Sequence, residues 1–356
     1  MEKRFLLTFL VPCLNEVETI EKAVKSAHQA GRKWLPEKFE ILVTDNGSTD
    51  GSQRKVSKQG IARLIKVSVR GYGAALHWGI LKAKGEFVLY ADADLSYDFG
   101  ETKKFLKYLA KNYDLVLGSR IKGKIDKGAM PLLNRYLGTP VLTTLIRLMY
   151  RIKTTDCNSG MRMVRKDFYK SLKMRNSGME WASELLLKTA LHQGKYAEVP
   201  INFHQDWRKR PPHLLRWVDG WRHLKAIVLL KPNSLAIPLL FFAILTGIFV
   251  KTSFGISFFF ALLTGALFLS ILAIKILHDA IEGTQSRVLR FIQKFPIVPL
   301  AIFITILGFI QLFLIADQHL GTKLFISSTV IIFDMWVFLI ETIKTHLVNR
   351  LPDILE

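Results

Sequence analysis

Over its first two hundred residues the chain alternates short apolar runs with amphipathic stretches, and beyond residue 232 it turns apolar almost without a break. Residues 5–12 form an apolar run of strand length, and 39–44, 86–90, 115–118 and 198–203 are of the same kind. Between them, 19–30 carries apolar side chains at helical spacing, and Gly71 opens a second helical pattern that runs to 83. Strands that alternate with helices predict a parallel, doubly wound sheet. Ligands of such sheets bind beyond the carboxyl ends of the strands. The polar clusters fall there: Asn15 and Glu16 after the first run, Asp45 to Gly51 after the second, Asp92-Ala93-Asp94 after the third and Gly118-Ser119-Arg120 after the fourth.

Four later segments, 235–250, 256–277, 297–316 and 324–340, read as membrane helices, since a bilayer core takes about 20 apolar residues. The first is short. It spans if Lys251 snorkels at its end, and otherwise the first pair reads as a re-entrant hairpin. Asp334 in the fourth is either a functional acid or a hydrogen-bonding partner of a neighbouring helix. The 251–255 and 317–323 connections are nearly neutral, whereas 278–295 carries Arg287, Arg290 and Lys294 and the tail carries Lys344 and Arg350. That bias places the middle loop, both termini and the first domain in the cytoplasm. Charged residues lead straight into the first strand, so no signal peptide is expected. The boundaries that follow are a catalytic domain at 1–203, a basic amphipathic segment at 204–231 and a transmembrane domain at 232–356. In the middle segment Leu214, Trp217, Val218, Trp221, Leu224 and Val228 recur at helical spacing, with Arg216, Arg222, His223 and Lys225 among them. Directly before a span, such a stripe reads as an interfacial helix rather than as core.

Charge sharpens the division. Of 50 basic and 29 acidic side chains, only eight and seven lie in 232–356, so nearly all of the net +21 belongs to the first two thirds. A surplus of that size implies a polyanionic partner: nucleic acid, anionic lipid or a phosphorylated small molecule. No nucleic-acid recognition motif accompanies it. The charged fraction of 22% excludes a polytopic membrane protein from end to end. The two cysteines, Cys13 and Cys157, exclude a disulfide scaffold and a four-cysteine zinc site, and both are expected as reduced thiols. Asp92 and Asp94 stand two apart after a strand, where a tight turn converges their carboxylates. Two carboxylates beside a phosphate site hold a hard cation, Mg²⁺ or Mn²⁺. Either acidic motif alone is most often a turn; their order, each after a strand, carries the weight.

Val11-Pro12-Cys13-Leu14-Asn15-Glu16, Asp45-Asn46-Gly47-Ser48-Thr49-Asp50-Gly51, Gly71-Tyr72-Gly73-Ala74-Ala75, Asp92-Ala93-Asp94 and Gly118-Ser119-Arg120 occur in the order seen in glycosyltransferase family 2. Over residues 5–230 the chain resembles the polyprenyl-phosphate branch of that family, the relatives of dolichol-phosphate mannose and glucose synthases. The resemblance implies an α/β GT-A fold, Rossmann-like with a mainly parallel sheet, followed by an α-helical membrane domain. It implies that Pro12, Asn15 and Glu16 line a nucleotide pocket, that Asp45 contacts base or ribose, and that Gly71 and Gly73 belong to the donor side. Asp94 then ligates the metal, with Asp92 supporting it or contacting the ribose. Arg120 and Arg135 resemble acceptor-phosphate arginines. Asp156 orients an arginine or the donor sugar, or else caps a turn. Ser159 in the same turn, and Glu180 and Glu184 on one helical face, are candidates for sugar or acceptor contacts. Arg208 and Arg210 follow the last strand and close over the diphosphate. Asn46 stands where the family usually has a second acid.

The expected reaction is an inverting, metal-dependent transfer of a hexose from a nucleotide-diphosphate sugar, UDP-glucose foremost, to a polyprenyl or dolichyl phosphate. The acceptor phosphate has a second pKa of about 6, so it needs no general base. Two rivals stand. One is a processive polysaccharide synthase, whose Gln-x-x-Arg-Trp pattern is not met by Gln205-Asp206-Trp207-Arg208. The other is a membrane scaffold or lipid translocator with an inactive domain, against which Asp92, Asp94 and Arg120 are intact. A homo-oligomer is allowed, with its number open.

Overall fold

The computed structural model describes residues 5–208 and 216–230, with helical backbone also at 240, 241, 243, 244 and 248. The first half runs β1 (Leu7–Cys13), α1 (Ile20–Trp34), β2 (Phe39–Asp45), α2 (Ser52–Gln59), β3 (Arg63–Lys66), α3 (Tyr72–Lys82) and β4 (Phe87–Tyr90). After a 3₁₀ turn at Phe99–Thr102 come α4 (Lys103–Leu109) and β5 (Leu115–Ser119). A π-helical turn at Asn134–Gly138 leads into α5 (Thr139–Tyr150), then β6 (Arg162–Arg165), α6 (Lys166–Ser171), α7 (Trp181–Leu191), β7 (Tyr196–Pro200) and α8 (Arg216–Leu229). Residues up to Ile227 belong to one compact unit, and a second begins at Val228.

Seven strands make one sheet in the order β3-β2-β1-β4-β6-β5-β7. β1 is buried along its whole length, which is why its sequence is a continuous apolar run rather than an alternating one. Leu7, Phe9 and Val11 share a core cluster with Ile20, Val24 and Ala27 of α1; the intervening Thr8 and Leu10 therefore face the other side of the sheet. Phe9 packs edge-on against Phe39 and Phe99, with centroids 5.9 and 5.4 Å away.

The sheet is mainly parallel, with one exception. β6 runs antiparallel to both β4 and β5, and every other pairing is parallel, so the mainly parallel sheet that the sequence implies is the one observed. The turn expected around Asp156 leads directly into this strand. β6 is Arg-Met-Val-Arg and β3 is Arg-Leu-Ile-Lys; two apolar residues flanked by charges establish no period. The last strand of the domain lies at Tyr196–Pro200 rather than 198–203.

The strand order reverses beside β1, and the sheet opens there. β4 pairs with β1 only over Leu7–Leu10, while β1 continues beside β2 through Pro12 and Cys13. Pro12 has no N–H to offer a ladder, so it sits where β4 has already turned away. The chain leaving β4 carries Asp92 and Asp94 into this crevice, the usual ligand site of such sheets.

Among the described residues no helix is long and apolar enough to cross a membrane. The predicted spans 256–277, 297–316 and 324–340, Asp334 with them, and all but five positions of 235–250 lie outside the described residues. α8 is a helix, as its spacing predicts, but its polar side is not all solvent-facing. His223 is buried and hydrogen-bonds Ser183 of α7 at 2.7 Å, and burial lowers its pKa to about 4. Tyr150 of α5 donates to the Ile227 carbonyl at 2.5 Å. Val218 of the apolar stripe is exposed; the side chains of Trp217, Trp221 and Val228 lie outside the described residues.

Asn46 joins two loops at the top of the sheet. Its Nδ2 donates to the carbonyls of Val67 at 3.3 Å and Val69 at 2.7 Å, and its Oδ1 accepts the Gly71 N–H at 2.8 Å. A carboxylate there could not donate, which accounts for an amide at this position. Asn46→Asp is expected to cost about 2–4 kcal/mol, because two buried carbonyls lose their donor and face a charge. Thermal unfolding of the full-length protein followed by tryptophan fluorescence reads this directly; an unchanged midpoint would show that the amide is dispensable.

Candidate active site

The first two loops of the crevice are laced together by side chains expected to face a nucleotide. Asn15 adopts a left-handed backbone, φ 58°. Its N–H donates to Ser48 Oγ at 2.9 Å, and its Oδ1 accepts the Thr49 N–H at 2.8 Å. The Glu16 N–H donates to Ser52 Oγ at 2.8 Å. Asp45 is buried at the end of β2, where its Oδ2 accepts from the N–H groups of Gly47 and Ser48 and from Gln53 at 2.8 Å. Its Oδ1 has no hydrogen-bond partner, a vacant buried acceptor suited to a ribose or base donor. Cys13 beside these loops is a free buried thiol pushed up to about 12 by burial, so it is no nucleophile.

Gly71 and Gly73 serve the packing behind these loops. Gly71 has φ 135°, and a Cβ there would strike the Ser177 carbonyl. A Cβ on Gly73 would strike Trp181. Their small size brings the start of α3 against the segment that opens α7, where the Ala74 N–H donates to the Ser177 carbonyl at 3.0 Å. Tyr72 between them donates its hydroxyl to Asp92 Oδ1 at 2.8 Å.

The acids after β4 meet a cation of the chain itself. Asp94 Oδ1 accepts the Ser96 N–H at 2.9 Å, and its Oδ2 accepts from Arg208 Nη2 at 2.9 Å. Arg208 Nη1 reaches Glu16 Oε1 at 3.1 Å, while Nε holds both oxygens of Asp206 at 2.9 and 2.8 Å. Burial, and then the Asp94 charge, push the Asp92 carboxyl well above the usual carboxylate range, against the opposing Tyr72 hydroxyl and Arg208. Among the described residues no three carboxylate, imidazole or thiolate side chains form a metal cage. Mg²⁺ and Mn²⁺ do not require one when substrate phosphates complete the shell. A pair of acids that already draws in a guanidinium fits such an ion, with Asp94 as ligand and Asp92 behind it.

Arg120 and Asp156 form a second centre. The guanidinium grips the carboxylate two-pronged, Nε to Oδ2 at 2.7 Å and Nη2 to Oδ1 at 2.8 Å, and the Arg120 N–H adds a bond at 3.0 Å. Burial alone would raise the Asp156 carboxyl, but Arg120 and the N–H donors hold it below its ordinary range. Of the roles open to Asp156, the structure shows the orienting of an arginine. Glu198 fixes the turn from below, accepting from the Thr155 N–H at 2.7 Å and from Lys122 at 2.9 Å. Arg135 lies in the π-helical turn, half-buried and stacked over Tyr136 at 5.5 Å, and does not join this pair.

The remaining candidates divide. Ser159 is buried, its hydroxyl accepting the Met161 N–H at 3.4 Å. Glu184 is fully engaged: it accepts the N–H groups of Arg175 and Asn176, each at 2.9 Å, and pairs with Lys188 at 2.8 Å. The sugar contact expected of Glu184 is therefore corrected to pinning the segment before α7. Glu180 keeps a buried Oε2 without a partner, and burial raises its pKa. Arg210 lies outside the described residues.

Two functional features escape the sequence reading. Arg162 is fully buried and donates to the carbonyls of Cys157, Ser159 and Ala182 at 2.7, 2.9 and 2.5 Å, fixing the Asp156 turn against α7. The second is a surface. α5 and the turn before it bury Thr139 and Thr143 but expose Leu132, Leu133, Tyr136, Leu137, Val141 and Leu148, with Leu132 at 72% and Leu148 at 70%. The segment 121–153 carries seven basic residues against one acid, Asp126. No motif marks this segment, and its sequence alone does not say which face turns outward.

The Arg120–Asp156 pair yields a stability test. Removing Arg120 alone leaves a buried carboxylate uncompensated, a loss of about 3–5 kcal/mol. Arg120→Ala combined with Asp156→Ala is expected to lose clearly less than the two single losses added together. Urea unfolding of the four proteins measures the cycle, and strict additivity would deny the coupling.

A family model described as glycosyl transferase family 2 matches residues 8–173. A low-salt glycan biosynthesis hexosyltransferase of Haloferax volcanii is 30% identical over 230 residues, 64% of this chain and 54% of the relative. This chain thus spans about half of that relative's length. A dolichyl-phosphate hexose transferase of the same organism is 32% identical over 169 residues, 47% of this chain and 70% of the relative. Glucosyl-3-phosphoglycerate synthase from Mycobacterium tuberculosis, solved with Mn²⁺, UDP-glucose and phosphoglyceric acid, shares the fold at a TM-score of 0.50 and 20% identity, over 63% of this chain and 79% of that one. The spaced motifs, the acids at the opening of the sheet and these relatives agree: the chain belongs to glycosyl transferase family 2.

Proposed function

We propose that this transferase moves one hexose from a nucleotide-diphosphate sugar to a polyprenyl phosphate at the cytoplasmic face of a membrane, with inversion. The observation that carries the reading is the segment leaving Arg120. An arginine already oriented by Asp156 opens a stretch that exposes apolar side chains amid basic ones. Contiguous exposed apolar surface marks an interaction site, and flanking lysines and arginines suit anionic headgroups. A lipid phosphate presented at that surface meets Arg120. The relatives named for hexose transfer, one of them to dolichyl phosphate, support the same acceptor class.

Asp94, with Asp92 behind it, would hold Mg²⁺ or Mn²⁺, whose charge offsets the charge that builds on the leaving diphosphate. Asn15, Glu16 and Asp45 shape the nucleotide side. A phosphate oxygen of the lipid forms the new bond to the anomeric carbon as the bond to the diphosphate breaks. The electron pair leaves with the nucleotide. No proton must be removed from a mostly dianionic phosphate, so Arg120, not a base, is what the acceptor needs. Its Nε and Nη2 are committed to Asp156, and Nη1 is the edge available to phosphate. Arg135 is a further cation along the same segment. The domain 1–203, the segment 204–231 and the spans beyond 232 then act as catalyst, interface and anchor.

Full-length protein incubated with a panel of nucleotide sugars, UDP-glucose first, and a polyprenyl phosphate should yield a lipid heavier by one hexose. EDTA should abolish the product and Mg²⁺ or Mn²⁺ should restore it. A polymer would favour the processive synthase, and full activity in excess EDTA would remove the metal.

The surface is tested separately. Leu137→Glu with Val141→Glu should raise the apparent KM for vesicle-borne acceptor about tenfold or more, since each buried aliphatic side chain is worth roughly 1.5–3 kcal/mol. Nucleotide affinity and thermal midpoint should hold. A drop in nucleotide affinity of similar size would place this face elsewhere than on lipid.

A further inference from the structure

We propose that Arg208 is a resident counter-ion that keeps a free divalent cation out of the acid site and yields to one that arrives with a nucleoside diphosphate. The inference rests on the reading that metal and donor meet at Asp94, and concerns the order and coupling of their binding. Every nitrogen of the Arg208 guanidinium is engaged. Nε and Nη2 hold Asp206, with contacts of 2.9, 2.8 and 2.5 Å, Nη1 holds Glu16 at 3.1 Å, and Nη2 also holds Asp94 at 2.9 Å. Each Asp94 oxygen already takes one hydrogen bond: Oδ1 the Ser96 N–H at 2.9 Å and Oδ2 the Arg208 guanidinium at 2.9 Å. A metal on Asp94 Oδ2 would share that oxygen with a second cation, and like-charge repulsion would drive the guanidinium off it.

The displacement is unfavourable for a cation alone. Free Mg²⁺ or Mn²⁺ would shed water and push a positive group off Asp94 while Asp206 keeps it near, leaving two cations side by side. A nucleoside diphosphate changes the balance. Its oxygens offer Arg208 the planar, two-pronged partner that a guanidinium prefers, and they complete the metal shell. Asp206 is placed to hold the arginine close in either position. Its Oδ1 accepts the Arg208 backbone N–H at 2.8 Å, while the Trp207 N–H donates to the Asp94 carbonyl at 3.2 Å. Arg208 thus makes metal and nucleotide bind with positive coupling, and by reciprocity each tightens the other by the same factor.

Mn²⁺ binding to the full-length protein, read from the electron paramagnetic resonance signal of the free ion, tests this without turnover. Wild type should bind Mn²⁺ weakly alone and at least tenfold more tightly with UDP, GDP or ADP, each tried in turn. Arg208→Gln should bind Mn²⁺ alone about tenfold more tightly than wild type, and the nucleotide should add little. Asp206→Asn, which loosens the fork but keeps the charge, should shift the same way by a smaller factor. If Arg208→Gln and Asp206→Asn bind Mn²⁺ alone no better than wild type, while nucleotide still tightens binding in all three, the counter-ion role is wrong and the metal site stands. If no protein binds Mn²⁺ even with nucleotide, the metal reading itself fails and this inference with it.

Discussion

Carboxylates crowd the opening between β1 and β4, and their mutual repulsion is the constraint around which the site is built. Two unit charges about 4 Å apart repel by roughly 4 kcal/mol at the effective dielectric of a protein surface. Glu16, Asp94 and Asp206 all lie against one guanidinium, and Asp92 stands close enough for Asp94 to raise its pKa. Arg208 offsets that repulsion for three of them at once. The sheet determines the crowding, because parallel strands deliver every loop to one edge, and the early departure of β4 opens that edge where the acids emerge.

The Asp92–Asp94 side and the Arg120 side share a wall yet keep their charges apart. Tyr97 accepts the Gly160 N–H at 2.7 Å, and Gly160 lies so close to Asp92 that a Cβ would strike the carboxylate. The Tyr97 ring packs on Phe203 at 5.1 Å, and Arg120 lies over the same ring, also at 5.1 Å. The rings of Tyr97 and Phe203 thus stand between the acid pair and Arg120. Nucleophile and leaving group are both anions in the proposed reaction. A wall that stops Arg120 from collapsing onto Asp92 or Asp94 leaves each anion its own cation.

What could be read from the sequence follows from where the information lies. β1, β2, β4 and β5 are apolar runs because they are interior strands, and the motifs after them are legible because the turns need small and polar residues. β6 and β3 are too short and too flanked by charge to announce themselves. Glu184 looks like a site residue by type and spacing, but a buried carboxylate that collects backbone N–H groups has the same sequence signature as one that collects sugar hydroxyls. Arg162, fully buried on three carbonyls, defies the expectation that arginine lies outside, and only its neighbours reveal it. Arg208 was assigned to the diphosphate by its place after the last strand; its contacts with Glu16 and Asp94 span long sequence distances that no local pattern records.

The two faces of α5 make sense once they are considered together. A helix in water gains by turning apolar side chains inward. α5 buries Ile146 and Tyr150 but also Thr139 and Thr143, and it exposes Val141 and Leu148. Thr143 has a task inside: its hydroxyl donates to Cys157 Sγ at 3.3 Å and accepts the Cys157 N–H at 3.4 Å, next to the carboxylate that orients Arg120. The inner face therefore grips the turn that carries Asp156, while the outer face is left for an apolar partner. The same helix thus borders the turn whose Asp156 holds Arg120. A surface that merely anchored the domain could have been placed anywhere on it. Placed on this helix, it would bring the phosphate of a lipid, the acceptor proposed above, toward an arginine already held in position by Asp156.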